Sequence, residues 1–128
     1  MILPAADELL APVMAIDGFR LACLIDGSTG MVLATREFRE SQDGPAPPTA
    51  AAGAADVINA LTLLNGRLAT GENLEDVMVT FSDSFFMVRP VGLDQQPQIL
   101  LLVIADRQRT NLAMAHRSIR DFCASFTS

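Results

Sequence analysis

One stretch limits what this chain can fold into more than any other. Residues 49–69, TAAAGAADVINALTLLNGRLA, hold two charges, Asp56 and Arg67, and no proline. At the helical period of about 100° per residue, Ala50, Ala54, Val57, Ile58, Leu61, Leu64 and Leu68 share one apolar face. The other face carries Ala52, Asp56, Asn59, Ala60, Leu63 and Arg67, and is small and weakly polar. A helix on the surface of a monomer has a charged outer side, whereas one apolar nearly all round is buried. In a chain of 128 residues, the outer side is therefore expected to meet another subunit. Function through contact, and not through chemistry, is the first implication.

Composition points the same way. Apolar residues make up 50% and charged residues 19%, below the usual share of about 25%. A single domain of this size buries roughly two-thirds of its unfolded surface, and this chain has more apolar surface than one such core requires. The net charge is −6, with all nine basic residues arginine. Nucleic acid and anionic membrane both demand clustered positive charge, so neither is expected as a partner.

Cys23 and Cys123 lie far apart in apolar settings, as buried free thiols of a cytosolic protein do. Whether they approach each other is open at this level. The start, MILPAADELL, lacks the basic region and long apolar core of a signal peptide. The longest apolar run, residues 99–105, is far short of the ~20 residues that span a bilayer. The expectation is a cytoplasmic, soluble chain without direct membrane insertion.

Residues 5–15 predict a short first helix with a stripe of Ala6, Leu9, Leu10, Val13 and Met14. Asp7 and Glu8 suit its first turn. Pro12 removes an interior hydrogen bond, so the helix either bends there or stops after two turns. Asp17-Gly18 ends it. Residues 19–26, FRLACLID, read as a strand largely apolar on both faces, with Phe19, Leu21, Cys23 and Ile25 on one side and Arg20, Ala22 and Leu24 on the other. The turn DGSTG follows, then a returning strand over residues 31–36.

From 37 to 48 the chain is charged and then proline-rich, a flexible loop within one domain spanning 1–128. Thr49 is the candidate N-cap of the long helix, and Gly71 the residue after its C-terminus. Strands follow at 76–81, 85–91 and 98–105, with turns at 82–84 and 92–97. Residues 111–126 form a last amphipathic helix with a stripe of Leu112, Ala115, Ile119, Phe122, Cys123 and Phe126.

The two strands apolar on both sides belong in mid-sheet with helices on each face. Placing the last strand beside the first gives an α/β (α+β) domain with strand order 2-1-5-4-3. One edge is then Val77-Met78-Val79-Thr80-Phe81, which lacks the lysines or prolines that protect an exposed strand. It invites a partner strand.

The chemistry-bearing residues form no catalytic constellation. Gly27 and Gly30 lie between two strands, without the Lys-Ser/Thr pair and following helix of a phosphate loop. His116 is the sole histidine, with no second histidine or near cysteine to make a metal or nucleophile site. The expectation is no enzyme, no cofactor and no metal.

The layout and its joints resemble the roadblock / dynein light-chain domain family in its bacterial form. The resemblance is carried by the first helix closing on Ile16-Asp17-Gly18, the hairpin LACLIDGSTGMVLA, and the Ala-rich second helix. It continues through the strand at 74–81, FFMVRPV, and LLLVIADRQRTNLAMAHRSIR. What it implies is a profilin-like, five-stranded antiparallel sheet, with the long helix on one face and the terminal helices on the other. It also implies a homodimer joined through long helices and third-strand edges. The further implication is binding and regulation of a small Ras-like GTPase, in some bacterial relatives beside a sensor histidine kinase.

The candidate dimer and partner surface is then Ala52, Asp56, Asn59, Ala60, Leu63, Arg67, Val77, Met78, Val79 and Thr80. Arg36, Arg39 and Arg67 are the arginines placed to reach a partner's active site, although their ordinary role is solvated surface charge. Two other classes stay open. One is a sensory module whose small-molecule pocket is lined by Phe85, Phe86 or the free sheet face. The other is a purely structural adaptor in a signalling complex.

Overall fold

Two strands without a polar face set the architecture, because each must be covered on both sides. In the computed structural model, which describes residues 8–38, 46–91 and 98–125, these are β1 (Phe19–Asp26) and β5 (Ile99–Asp106). They pair antiparallel at the centre of the sheet, Cys23 opposite Leu102. β2 (Val32–Glu37), β3 (Val77–Thr80) and β4 (Ser84–Val91) complete it in the order β2-β1-β5-β4-β3. Every pairing is antiparallel, and the order is the one that the sequence predicts.

Strand alternation splits the core in two. On one face Leu21, Cys23, Ile25, Leu100, Leu102 and Ile104 meet α1 (Pro47–Leu68). On the other, Phe19, Ala22, Leu24, Leu101, Val103 and Ala105 meet a 3₁₀ helix (Glu8–Ala15) and α2 (Leu112–Ala124). Cys23 and Cys123 belong to opposite layers with the sheet between them, and both thiols are free. That separation settles what spacing left open.

The described part of the first helix is 3₁₀ rather than α. Its tighter turn accommodates Pro12. Leu10 and Val13 are buried, but Leu9, expected in the same stripe, is exposed, because a three-residue period moves it off the sheet. Ala6 and Asp7 lie outside the described residues, as do Phe126, most of the 37–48 loop and the 92–97 turn. Glu37 itself belongs to β2, and Pro47 and Pro48 to α1.

α1 starts two residues before the expected cap. Pro47 and Pro48 occupy its first positions, where a missing N–H costs nothing. Ala46, not Thr49, is the N-cap and gives no side-chain bond. At the other end Ala69 takes the left-handed conformation (φ 53°), two residues ahead of Gly71. Asn65 accounts for this stop: its amide donates to the Glu72 carbonyl at 2.6 Å and accepts from the Thr70 hydroxyl at 2.9 Å. α2 has the cap its sequence promises, Asn111 accepting from the Met114 N–H at 3.2 Å.

Side-chain hydrogen bonds tie the β1–β2 turn together. The Asp26 carboxylate accepts from the Ser28 hydroxyl at 2.7 Å and the Ser28 N–H at 2.9 Å. These bonds hold its carboxyl below the usual carboxylate range. Gly30 (φ +78°) closes the turn, and a β-carbon there would lie 3.6 Å from the Ala52 Cα. The hairpin thus leans directly on α1.

The two sheet edges differ. In β2, Leu24 pairs with Ala34 and Ile25 with Val32, so Leu33 is an extra, bulged residue. Bulges and charges such as Arg36 and Glu37 blunt an edge. β3 has neither.

Candidate interaction surface

The surface begins with how α1 sits. Its buried stripe is Ala50, Ala51, Ala54, Ala55 and Ile58, with Leu61 and Asn65 half-buried. The paired alanines let the helix backbone come close to β1, β2 and the hairpin turn. Ile58, 1% exposed, fills the remaining gap, a burial contributing about 2–3 kcal/mol. Val57, Leu64 and Leu68 were expected on this inner face but are exposed. The alanine pairs roll the helix so that these three fall on its flank.

That flank faces the segment leading to β3. A groove there is lined by Leu61, Leu64 and Leu68 on one wall and Leu74 and Glu75 on the other. Leu64 is 49% and Leu68 63% exposed, a large apolar area for a helix side open to water. Beyond the groove runs the free edge of β3. Met78 and Thr80 are exposed there, while Val77 and Val79 are half-buried. Phe81, just past the strand, is exposed and meets Phe86 edge-on at 5.0 Å between ring centroids.

A second side of α1 points straight away from the sheet. Ala52, Asp56, Asn59, Ala60, Leu63 and Arg67 are all exposed, Leu63 by 60%. α1 therefore exposes two surfaces where the helical period predicts one: a leucine flank beside β3, expected to be buried, and the outward ridge with Leu63 between Asp56 and Arg67. The signal for this split was present in the alanine pairs 50/51 and 54/55, which mark the side of closest approach.

His116, given no special role by the sequence, has a specific place. Its Nε2 lies 2.7 Å from Asp76 Oδ2, and the same oxygen accepts from Arg89 Nη1 at 2.9 Å. Asp76 directly precedes β3, Arg89 is on β4 and His116 on α2. A second tie joins Arg20 to Asp106 at 3.1 Å. The N–H of Gln108, and then Arg20, hold the Asp106 carboxyl below its ordinary range.

Neither thiol is poised for chemistry. Burial pushes Cys123 up to about 11 against the opposing pull of Arg89. Cys23 is also raised by burial, although its contact with Thr35 acts the other way. Among the described residues no three His, Cys, Asp or Glu side chains group as a metal site. Phe85 and Phe86 pack against opposite core layers, and neither lines the groove beside α1. Arg67 is exposed on α1's last turn; Arg39 lies outside the described residues. No described helix is long and apolar enough to cross a membrane.

The sequence matches no protein-family model and no curated protein. Solved structures do match. The gliding protein MglB from Thermus thermophilus superposes with a TM-score of 0.79 at 22% identity, covering 96% of this chain and 90% of that one. A roadblock/LC7 domain from Streptomyces avermitilis gives 0.76 at 19% identity, over 93% and 92%. An MglB with a tetrameric arrangement gives 0.81 at 21% identity, over 98% and 91%. These likenesses extend across nearly the whole of each chain. This chain has the roadblock/LC7 fold.

Proposed function

We propose that this protein is a non-catalytic, homodimeric roadblock-type module that binds a small Ras-like GTPase and regulates its cycle or location. The observation that carries the reading is the pair of distinct exposed sides on α1. The leucine flank, continuous with the bare β3 edge, suits a second copy of the same chain. Such a copy would add a strand to the sheet and cover Val57, Leu64 and Leu68. The outward ridge of Asp56, Asn59, Leu63 and Arg67 stays open on that pair and serves as the platform for the GTPase. Its mixed charges around one leucine suit a reversible partner better than a permanent one.

Support comes from the fold and from the succession of joints along the sequence. That one similar MglB forms a tetrameric arrangement is consistent with self-association on this scaffold. On this reading, regulation acts by arranging the GTPase's own residues or by lending Arg67. A sensor histidine kinase in the same assembly has no structural support here. The test pairs two measurements: mass in solution, and GTP turnover by a Ras-like GTPase with and without this protein. A dimer that changes turnover or co-migrates with the GTPase supports the reading. A monomer that does neither overturns it.

A further inference from the structure

β3 is the weakest-held strand of the sheet. It is four residues long and pairs on one side only, with β4. A short edge strand frays unless something fixes its start. Here that something is a single carboxylate oxygen. Asp76 Oδ2, one residue before β3, accepts from Arg89 Nη1 on the neighbouring strand and bonds His116 Nε2 on α2. The Arg89 side chain is only 17% exposed and Asp76 27%. A largely buried guanidinium needs its counter-charge, since removing one partner leaves the other charge desolvated and unpaired.

We propose that Asp76 is a positioning residue for the β3 edge: it locks the strand's start to β4 and α2, so the edge is presented in one geometry to the second copy. The inference rests on the reading of that edge as the contact between copies. It assigns to Asp76, Arg89 and His116 a role in assembly that none of them plays by contact, because all three side chains are engaged in the subunit's own hydrogen-bonded cluster. It also links α2, on the far face of the sheet, to the pairing edge.

The experiment compares wild type, Asp76→Asn and His116→Ala by sedimentation equilibrium and by amide hydrogen exchange. Asp76→Asn is expected to weaken self-association about tenfold or more. Exchange over residues 77–80 should accelerate while β1 and β5 keep their protection. His116→Ala leaves Arg89 paired and should move both readouts less, in the same direction. The proposal fails if Asp76→Asn self-associates like wild type, or if its protection falls equally in β1, β5 and β3, the signature of a general loss of stability. A monomeric wild type would instead defeat the reading of the edge, and exchange over residues 77–80 would still decide whether Asp76 orders the strand.

Discussion

The hydroxyl of Thr110 occupies the space that a β-carbon on Gly18 would need. That hydroxyl donates to the Asp106 carbonyl at 2.6 Å and lies 2.9 Å from the Asp17 carbonyl. It thereby joins the turn before β1 to the turn after β5. Gly18 also holds φ +84°, so two independent constraints act on one residue. Gly18→Ala should cost about 2–4 kcal/mol, from strain at positive φ and displaced Thr110. Gly30→Ala, with positive φ but only ordinary contacts at 3.6–3.7 Å, should cost about 1 kcal/mol. Urea unfolding of the two variants side by side checks the ranking.

The two sides of α1 should separate by mutation. Leu64→Arg, placed on the flank beside β3, is expected to turn the proposed dimer into a monomer. Leu63→Arg, on the outward ridge, should leave the mass unchanged and weaken GTPase binding by about tenfold or more. Both positions are exposed, so neither change should lower stability by more than about 0.5 kcal/mol per subunit. Light scattering and a GTPase pull-down with purified partner distinguish the two outcomes. Retention of both dimer and binding in both variants would sink the assignment.

Core packing gives a sharper number. Ile58 is the large side chain under α1, and Ile58→Ala should cost about 2–5 kcal/mol by chemical denaturation. Ala51, fully buried, should resist enlargement: Ala51→Leu lifts α1 off the sheet and costs about 1–3 kcal/mol.

Both thiols should be silent in the native state. Thiolate is the reactive form, and with Cys123 pushed up to about 11 almost none exists at pH 8. Alkylation with iodoacetamide should proceed at least about a hundredfold faster in denaturant than in buffer. Oxidation should produce no intramolecular disulfide, since the cysteines occupy opposite core layers.

Acid sensitivity follows from Asp26 and Asp106. Both carboxyls lie below their ordinary range in the folded chain. Stability they contribute is therefore complete above the unfolded value of about 4 and is lost as pH falls through the lower, folded value. Thermal melts should fall as pH drops below about 5 and these carboxylates take up protons. Asp26→Asn should be less stable than wild type at pH 7, with the gap closing toward pH 3.

What the sequence disclosed, and what it hid, follows from range. β1 and β5 were legible because an uninterrupted apolar run admits only a central place, and strand order followed from them. Asn111 announced its own cap. The roll of α1 was not legible from an apolar count alone, because leucine outweighs alanine on any hydrophobic scale. Close approach to the sheet favours the smaller residue. The stop at Ala69 depends on the Asn65 side chain reaching Glu72, and the tie at Asp76 on residues 13 and 40 positions away. Neither leaves a periodic trace.

The bulge at Leu33 carries a consequence for how far these subunits can grow together. A sheet with two pairable edges is a link in an open chain, and copies would add without limit at both ends. Here one margin is kinked and charged while the other is straight and bare. Joining two bare margins would use up both and leave only kinked ones facing out. Along the sheet direction such a complex would close on itself at two members, with further growth opposed by the bulge and the charges on β2.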